Sequence, residues 1–90
     1  MSLSQTFAAL ADPNRQKILR CLKKSELPVS EIAKSVDITL ATLSHHLDIL
    51  RRADLVSSRR DGRQIFYELN LSVADEIMEG VAKMLKKGNL

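Results

Sequence analysis

A chain of 90 residues, 44% hydrophobic and 28% charged, suits one small folded domain spanning residues 1–90 and excludes a disordered tail. Fourteen Lys and Arg against eleven Asp and Glu leave a net charge of +3, which permits a polyanionic partner without requiring one. The lone cysteine, Cys21, rules out an intrachain disulfide, and no stretch approaches the roughly 20 apolar residues of a membrane helix.

The N-terminus has no basic-then-apolar leader pattern, so a soluble protein of the reducing cytoplasm is expected. Residues 2–10 set Leu3, Phe7 and Leu10 at helical spacing. Asp12-Pro13 restarts the chain, with Asp as N-cap and Pro at the first helical position, and a second helix runs to about Lys24 with Ile18, Leu19 and Leu22 inward. Pro28 opens a short third helix, VSEIAKSV, whose inward side is Val29, Ile32, Ala33 and Val36. Asp37-Ile38 makes a tight connection to a fourth helix, capped by Thr39 and running to about Ala53, with Leu43, Leu47 and Leu50 along its buried side.

After Asp54 the period changes. Leu55 and Val56 enter a strand, and Asp61-Gly62 signals a hairpin through a type I′ turn with positive φ at both residues. The return strand RQIFYELN places Ile65, Tyr67 and Leu69 on one face and Phe66 and Glu68 on the other. From about Ser72, a plausible cap, a last helix runs to about Lys87 with Val73, Ile77, Val81 and Met84 or Leu85 in register, and Gly88 ends it. The expected fold is mainly α, five helices in the order α-α-α-α-β-β-α. Within it, residues 29–53 form a helix-turn-helix and the two-stranded hairpin at about 55–69 a wing.

His45 and His46 pose the functional question. Neighbours on a helix diverge by about 100°, so they cannot share a face or easily chelate one ion. No Cys-x-x-Cys or Cys-x-Cys pair supports a metal site, and Ser44 diverges from His45 too far for a nucleophile–base pair. Neither catalysis nor a bound cofactor is expected. With the leucine stripe inward, His45 points outward and His46 flanks the core. Ala41, Thr42, Ser44 and His45 then form a small, polar face that can approach a groove closely and bond to phosphates or base edges. The bland alternative is a face that only meets water. Arg59, Arg60 and Arg63 cluster at the hairpin tip. They suit a finger reaching a phosphate backbone or minor groove, or else a charged tip that resists edge pairing.

The segments ALADPNRQKILRCL, VSEIAKSVDITLATLSHHLDILRRADLV and RRDGRQIFYELN resemble the ArsR-type (ArsR/SmtB) winged-helix repressors over residues 4–70, most nearly the small, metal-independent autorepressors of the sporulation-delay kind. The resemblance implies a homodimer joined through the first and last helices, with Leu3, Phe7 and Leu10 against Ile77, Val81 and Met84 or Leu85. It implies a recognition face of Thr39, Leu40, Ala41, Thr42, Ser44 and His45 in the major groove, with the wing, Arg63 foremost, on flanking double-stranded DNA. It gives His46 an anchoring role.

The departures are informative. ELPVSEIA lacks the third-helix cysteines of the metal sensors, and the last helix offers Asp75, Glu76 and Glu79 but no histidine, so the family's best-known trigger is expected to be absent. Leu40 and Ala41 stand where many relatives carry longer polar residues. Asp37 and Asp54 stand at turns where relatives often have Gly, and Asp48 faces outward, where it would repel phosphates unless it lies beyond the contacting N-terminal half or pairs with Arg51 or Arg52. Cys21 reads as a small buried hydrophobe. The resulting expectation is a homodimeric repressor on an inverted-repeat operator. Two rivals are a ligand- or redox-responsive sensor of the same fold and a protein-interaction module that does not use DNA.

Overall fold

A computed structural model describes residues 3–88, apart from the side chains of Leu3 and Lys87. The order is α1 (Leu3–Leu10), α2 (Pro13–Cys21), β1 (Leu27–Pro28), α3 (Val29–Val36), α4 (Leu40–Arg52), β2 (Val56–Asp61), β3 (Gln64–Leu69) and α5 (Leu71–Gly88). Ser2, in the predicted first helix, lies outside the described residues.

Asp12 caps α2 as its position before Pro13 requires. Its Oδ1 accepts the Asn14 and Arg15 N–H groups at 2.8 and 3.1 Å. The Arg15 N–H above all holds the Asp12 carboxyl below its usual range, because that bond exists for the charged form. α2 ends at Cys21 rather than near Lys24, and Leu22 is its C-cap. The reason lies downstream. Leu27 and Pro28 pair antiparallel with Tyr67 and Phe66, so the chain must turn after Leu22 to reach the sheet. This short strand was not expected; it extends the two-stranded wing to a three-stranded antiparallel sheet of order β1-β3-β2. Pro28, with no N–H to offer, is tolerated because β1 is an edge.

Asp37 closes α3 in the left-handed region (φ 53°, ψ 51°), and Asp54 follows α4 at φ 58°. A short polar side chain makes Asp one of the few non-glycine residues that enter this region readily. Thr39 caps α4 by accepting the Thr42 N–H at 3.2 Å. At the hairpin tip Asp61 pairs with Gln64, so Gly62 and Arg63 are the two central turn residues. Of these, Gly62 alone has positive φ (64°). That is the type II′ pattern, glycine first, in place of the expected I′ turn one residue earlier. α5 begins at Leu71, so Ser72 lies inside the helix and is not its cap. Asn70 occupies the cap position, its carbonyl accepting the Val73 N–H at 3.2 Å, while the Ser72 hydroxyl donates to Asn70 Oδ1 at 2.7 Å.

The core gathers one face from each helix: Ile18 and Leu22 of α2, Ile32 and Val36 of α3, and Leu43, Leu47 and Leu50 of α4. Leu55, Val56 and Val73 complete it. Each large apolar side chain so buried contributes about 1.5–3 kcal/mol. The effect is to fix α4 between α2 and the sheet with its opposite side in solvent. α5 packs through Val73 and Ile77 and then runs on, giving the molecule extents of 52 × 22 × 21 Å.

Candidate nucleic-acid interface

α4 has two chemically distinct sides. Leu43, His46, Leu47 and Leu50 are buried; Leu40, Ala41, Thr42, Ser44 and His45 are exposed, as is Thr39 before them. Thr39 Oγ1 donates to Thr42 Oγ1 at 2.9 Å, which orders the two hydroxyls at the helix entrance. Leu40 is 62% exposed, an unusual position for a leucine unless something covers it.

The two histidines are separated as their spacing requires. His45 is in solvent, whereas His46 is 7% exposed and its Nδ1 lies 3.2 Å from Arg15 Nη1. A guanidinium only donates, so Nδ1 accepts and the ring proton sits on Nε2. The same Arg15 donates from Nε to the Ala9 carbonyl at 2.7 Å and from Nη2 to the Ala8 carbonyl at 3.2 Å. One side chain of α2 thus ties the end of α1 to α4.

Asp48 meets two cations: Oδ1 accepts from Arg51 Nη2 at 2.8 Å and Oδ2 lies 2.9 Å from Arg52 Nε. The outward carboxylate is therefore neutralised by its own helix.

The three wing arginines are not equivalent. Arg59 forms a two-pronged pair with Glu26, with Nε to Oε2 at 3.1 Å and Nη2 to Oε1, and its guanidinium lies over Phe66 at 4.6 Å from the ring centroid. The Arg59 contact holds the Glu26 carboxyl below its usual range and pushes Arg59 up. Arg60, on the opposite face of β2, and Arg63, in the turn, are exposed. Arg63 and Gln64 face Ser44 and Asp48 across an open cleft of about 440 Å³ floored by Leu47, Ile65 and Tyr67. The structure thus brings Ser44 of the α4 face and Arg63 of the wing tip into the lining of one cleft, and ties Arg59, midway along β2, to Glu26.

Cys21 is half-buried, and its Sγ donates to the Ile18 carbonyl at 3.2 Å. Burial pushes the thiol up, which disfavours the reactive thiolate. Among the described residues no group of three or more His, Cys, Asp or Glu converges as a metal site, and no helix is long and apolar enough to cross a membrane.

The residues expected at a dimer interface fall on α1 and α5. Phe7 is 40% exposed, Leu10, Ile77 and Val81 are half-buried, and Met84 and Leu85 are exposed. The side chain of Leu3 lies outside the described part. Leu10 and Ile77, with Met78 and Leu71, border an apolar groove of about 320 Å³.

A compact helical body that presents one helix beside a basic hairpin is the architecture of a winged helix-turn-helix protein. The comparisons agree. A family profile described as a helix-turn-helix domain matches residues 10–59. The chain is 34% identical over 87 residues to the transcriptional repressor SdpR of Bacillus subtilis, covering 97% of both chains. Its fold matches an ArsR-like transcriptional regulator from Rhodococcus with a TM-score of 0.88, at 25% identity over 97% of this chain and 82% of that one. It also matches the homodimeric winged helix-turn-helix DNA-binding domain of a possible ArsR-family regulator from Mycobacterium bovis, with a TM-score of 0.76 at 28% identity over 98% and 83% of the two chains. The chain belongs to the ArsR/SmtB family of helix-turn-helix transcriptional repressors.

Two contacts carried no signal in the sequence, Arg15 with His46 and Glu26 with Arg59, because they join residues 31 and 33 positions apart, beyond the reach of any local pattern. The pairing of Asp48 with Arg51 and Arg52 was among the readings its i, i+3 and i+4 spacing offered.

Proposed function

We infer that this chain is a sequence-specific DNA-binding transcriptional repressor that acts as a homodimer on an inverted-repeat operator in the bacterial cytoplasm, and that it is a regulator rather than an enzyme. The observation that carries the reading is the cleft with Ser44 on one bank and Arg63 on the other. A helix with small residues and hydroxyls exposed enters a major groove closely. An exposed arginine tip beside that helix supplies sequence-independent affinity for the backbone. Thr39, Thr42, Ser44 and His45 are the base- and phosphate-facing groups, and Leu40 and Ala41 are suited to a thymine methyl. Arg60 and Arg63 are the wing contacts. Arg59, engaged by Glu26 and Phe66, sets the wing's attitude and adds its charge from behind.

The exposed and half-buried apolar residues of α1 and α5, Phe7, Leu10, Ile77, Val81, Met84 and Leu85, together with Leu3, form the surface between protomers. A two-fold pair of chains reads a two-fold site, with half-sites about 34–36 Å apart or a multiple of that. Occupying a promoter in this way obstructs polymerase.

Selection of bound sequences from random duplexes tests the reading. The expected product is a palindrome, bound with an affinity that falls steeply with salt. Recovery of unpaired sequences, or affinity indifferent to salt, refutes it. No binding to any duplex would leave the protein-interaction role.

A further inference from the structure

We propose that Arg15 and His46 form a positioning clasp that fixes how α4 is rolled against α1, and so sets the operator spacing that a pair of protomers accepts. The inference rests on the repressor reading above and adds two residues outside the sets that reading assigns to DNA and to the partner.

The geometry is specific. Arg15 sends three N–H groups in fixed directions: to the Ala9 carbonyl (2.7 Å), the Ala8 carbonyl (3.2 Å) and His46 Nδ1 (3.2 Å). Ala8 and Ala9 lie in the last turn of α1, whose carbonyls have no partner within the helix. Gln16 adds a fourth tie, donating to the Leu10 carbonyl at 2.8 Å. A guanidinium is a rigid planar fork, so satisfying all three acceptors at once fixes the orientation of the two helices it joins.

His46 is the point at which α4 is held. It is adjacent to His45, so any roll of the helix at residue 46 is carried directly to the exposed face. With side chains extending about 5–6 Å from the axis, a roll of about 10° displaces that face by about 1 Å. The packed leucines hold α4 in place, and the Arg15–His46 link adds a directional restraint that depends on angle as well as on buried area. A link between a half-buried guanidinium and a buried imidazole has a preferred geometry and loses its bonds outside it.

α1 is also one of the two helices that carry the proposed interface between protomers. The clasp therefore runs from the interface helix to the recognition helix within each protomer, and two clasps relate the two recognition helices. Loosening them should leave each half-site contact intact and relax the relation between the two.

The test uses the full-length protein and the palindrome recovered by random-duplex selection. Its affinity is compared with that for the same palindrome carrying one base pair inserted or deleted at the centre, and for a single half-site. One base pair turns the second half-site by about 35°. The variants are His46→Leu, which keeps the bulk and removes the acceptor; His46→Asn, whose carbonyl oxygen replaces Nδ1; and Arg15→Lys, which keeps the charge and loses the fork.

Wild type and His46→Asn should prefer the native spacing by roughly tenfold or more. His46→Leu and Arg15→Lys should show less than about a threefold preference, with half-site affinity within about threefold of wild type. If His46→Leu fails to fold, as judged by circular dichroism, Arg15→Lys carries the comparison. Spacing discrimination as sharp as wild type in the folded variants overturns the clasp and leaves the repressor reading standing. An equal loss of affinity for every duplex, with spacing preference unchanged, also overturns it. A wild type that selects no paired half-sites overturns both.

Discussion

Replacing Asp48 by Asn removes one negative charge from the exposed flank of α4 at almost constant shape. In the native chain that carboxylate holds Arg51 at 2.8 Å and Arg52 at 2.9 Å. The Asp48 side chain is 40% exposed and the arginines 50% and 70%, so the two ion pairs are screened and each contributes about 0.2–1 kcal/mol to folding. Together they amount to about 0.4–2 kcal/mol, so a loss of thermal stability of about 2–16 °C is expected. The effect on DNA should be larger. Each arginine released to a phosphate steepens the dependence of log affinity on log salt by about 0.9. If both engage, the slope changes by about 1.8, and lowering the salt from about 0.2 to about 0.05 M should raise the variant's affinity about 12-fold more than the wild type's. Phosphate contacts carry no sequence information, so the gain should appear equally on operator and random duplexes. Fluorescence anisotropy with both labelled duplexes at four salt concentrations reads the slopes directly. A variant with the wild-type slope, or one that gains on the operator alone, would refute the reasoning that Asp48 restrains its neighbours.

Three further outcomes are expected. Arg63→Ala should weaken binding to all duplexes and flatten the salt slope by about 0.9, whereas Arg59→Ala should also lower thermal stability because it removes the Glu26 pair and the contact over Phe66; an Arg63→Ala slope equal to wild type counts against the wing contact. Phe7→Asp or Ile77→Asp places a charge on the apolar surface of α1 or α5 and should give monomers by sedimentation with loss of operator binding; a fully dimeric, fully active variant contradicts the assigned interface. Asp12 and Glu26 both titrate lower in the folded chain than in the unfolded one, so the fold favours their charged forms. That contribution is complete above about pH 4.5 and is lost as pH falls through the folded values, so the urea midpoint should drop between about pH 5 and pH 3. Asp12→Asn should show a shallower drop; an identical pH profile would remove Asp12 from the account.

The helix-turn-helix was legible because its signals are local. Leucines at 43, 47 and 50 fix which side of α4 is buried, and Thr39 and Asp37 mark its approach. That arithmetic alone sent His45 outward and set His46 on the flank of the core, where the structure buries it. β1 escaped notice because two residues, one of them proline, have no period to detect; its existence depends on Tyr67 and Phe66, some 40 positions away. The wing arginines looked alike as a string. The register of β2 against β3 distinguishes them: Arg59 stands opposite Phe66 and Arg60 opposite Ile65, so alternate residues take opposite faces. The turn was placed one residue early because Asp-Gly suits type I′, whereas the pairing of Asp61 with Gln64 makes Gly62 the first of the two central residues. What periodicity cannot supply is the partner of a polar group buried against another helix, and the clasp at Arg15 is of that kind.

The bare far half of α5 has a consequence for gene dosage. In the proposed interface Met84 and Leu85, open to water in the single chain, would be covered only by mass action. While most chains are unpaired, doubling their number raises the paired population about fourfold. Control by such a molecule has a threshold: a cell holding few copies leaves the promoter open, and a modest rise in synthesis closes it abruptly.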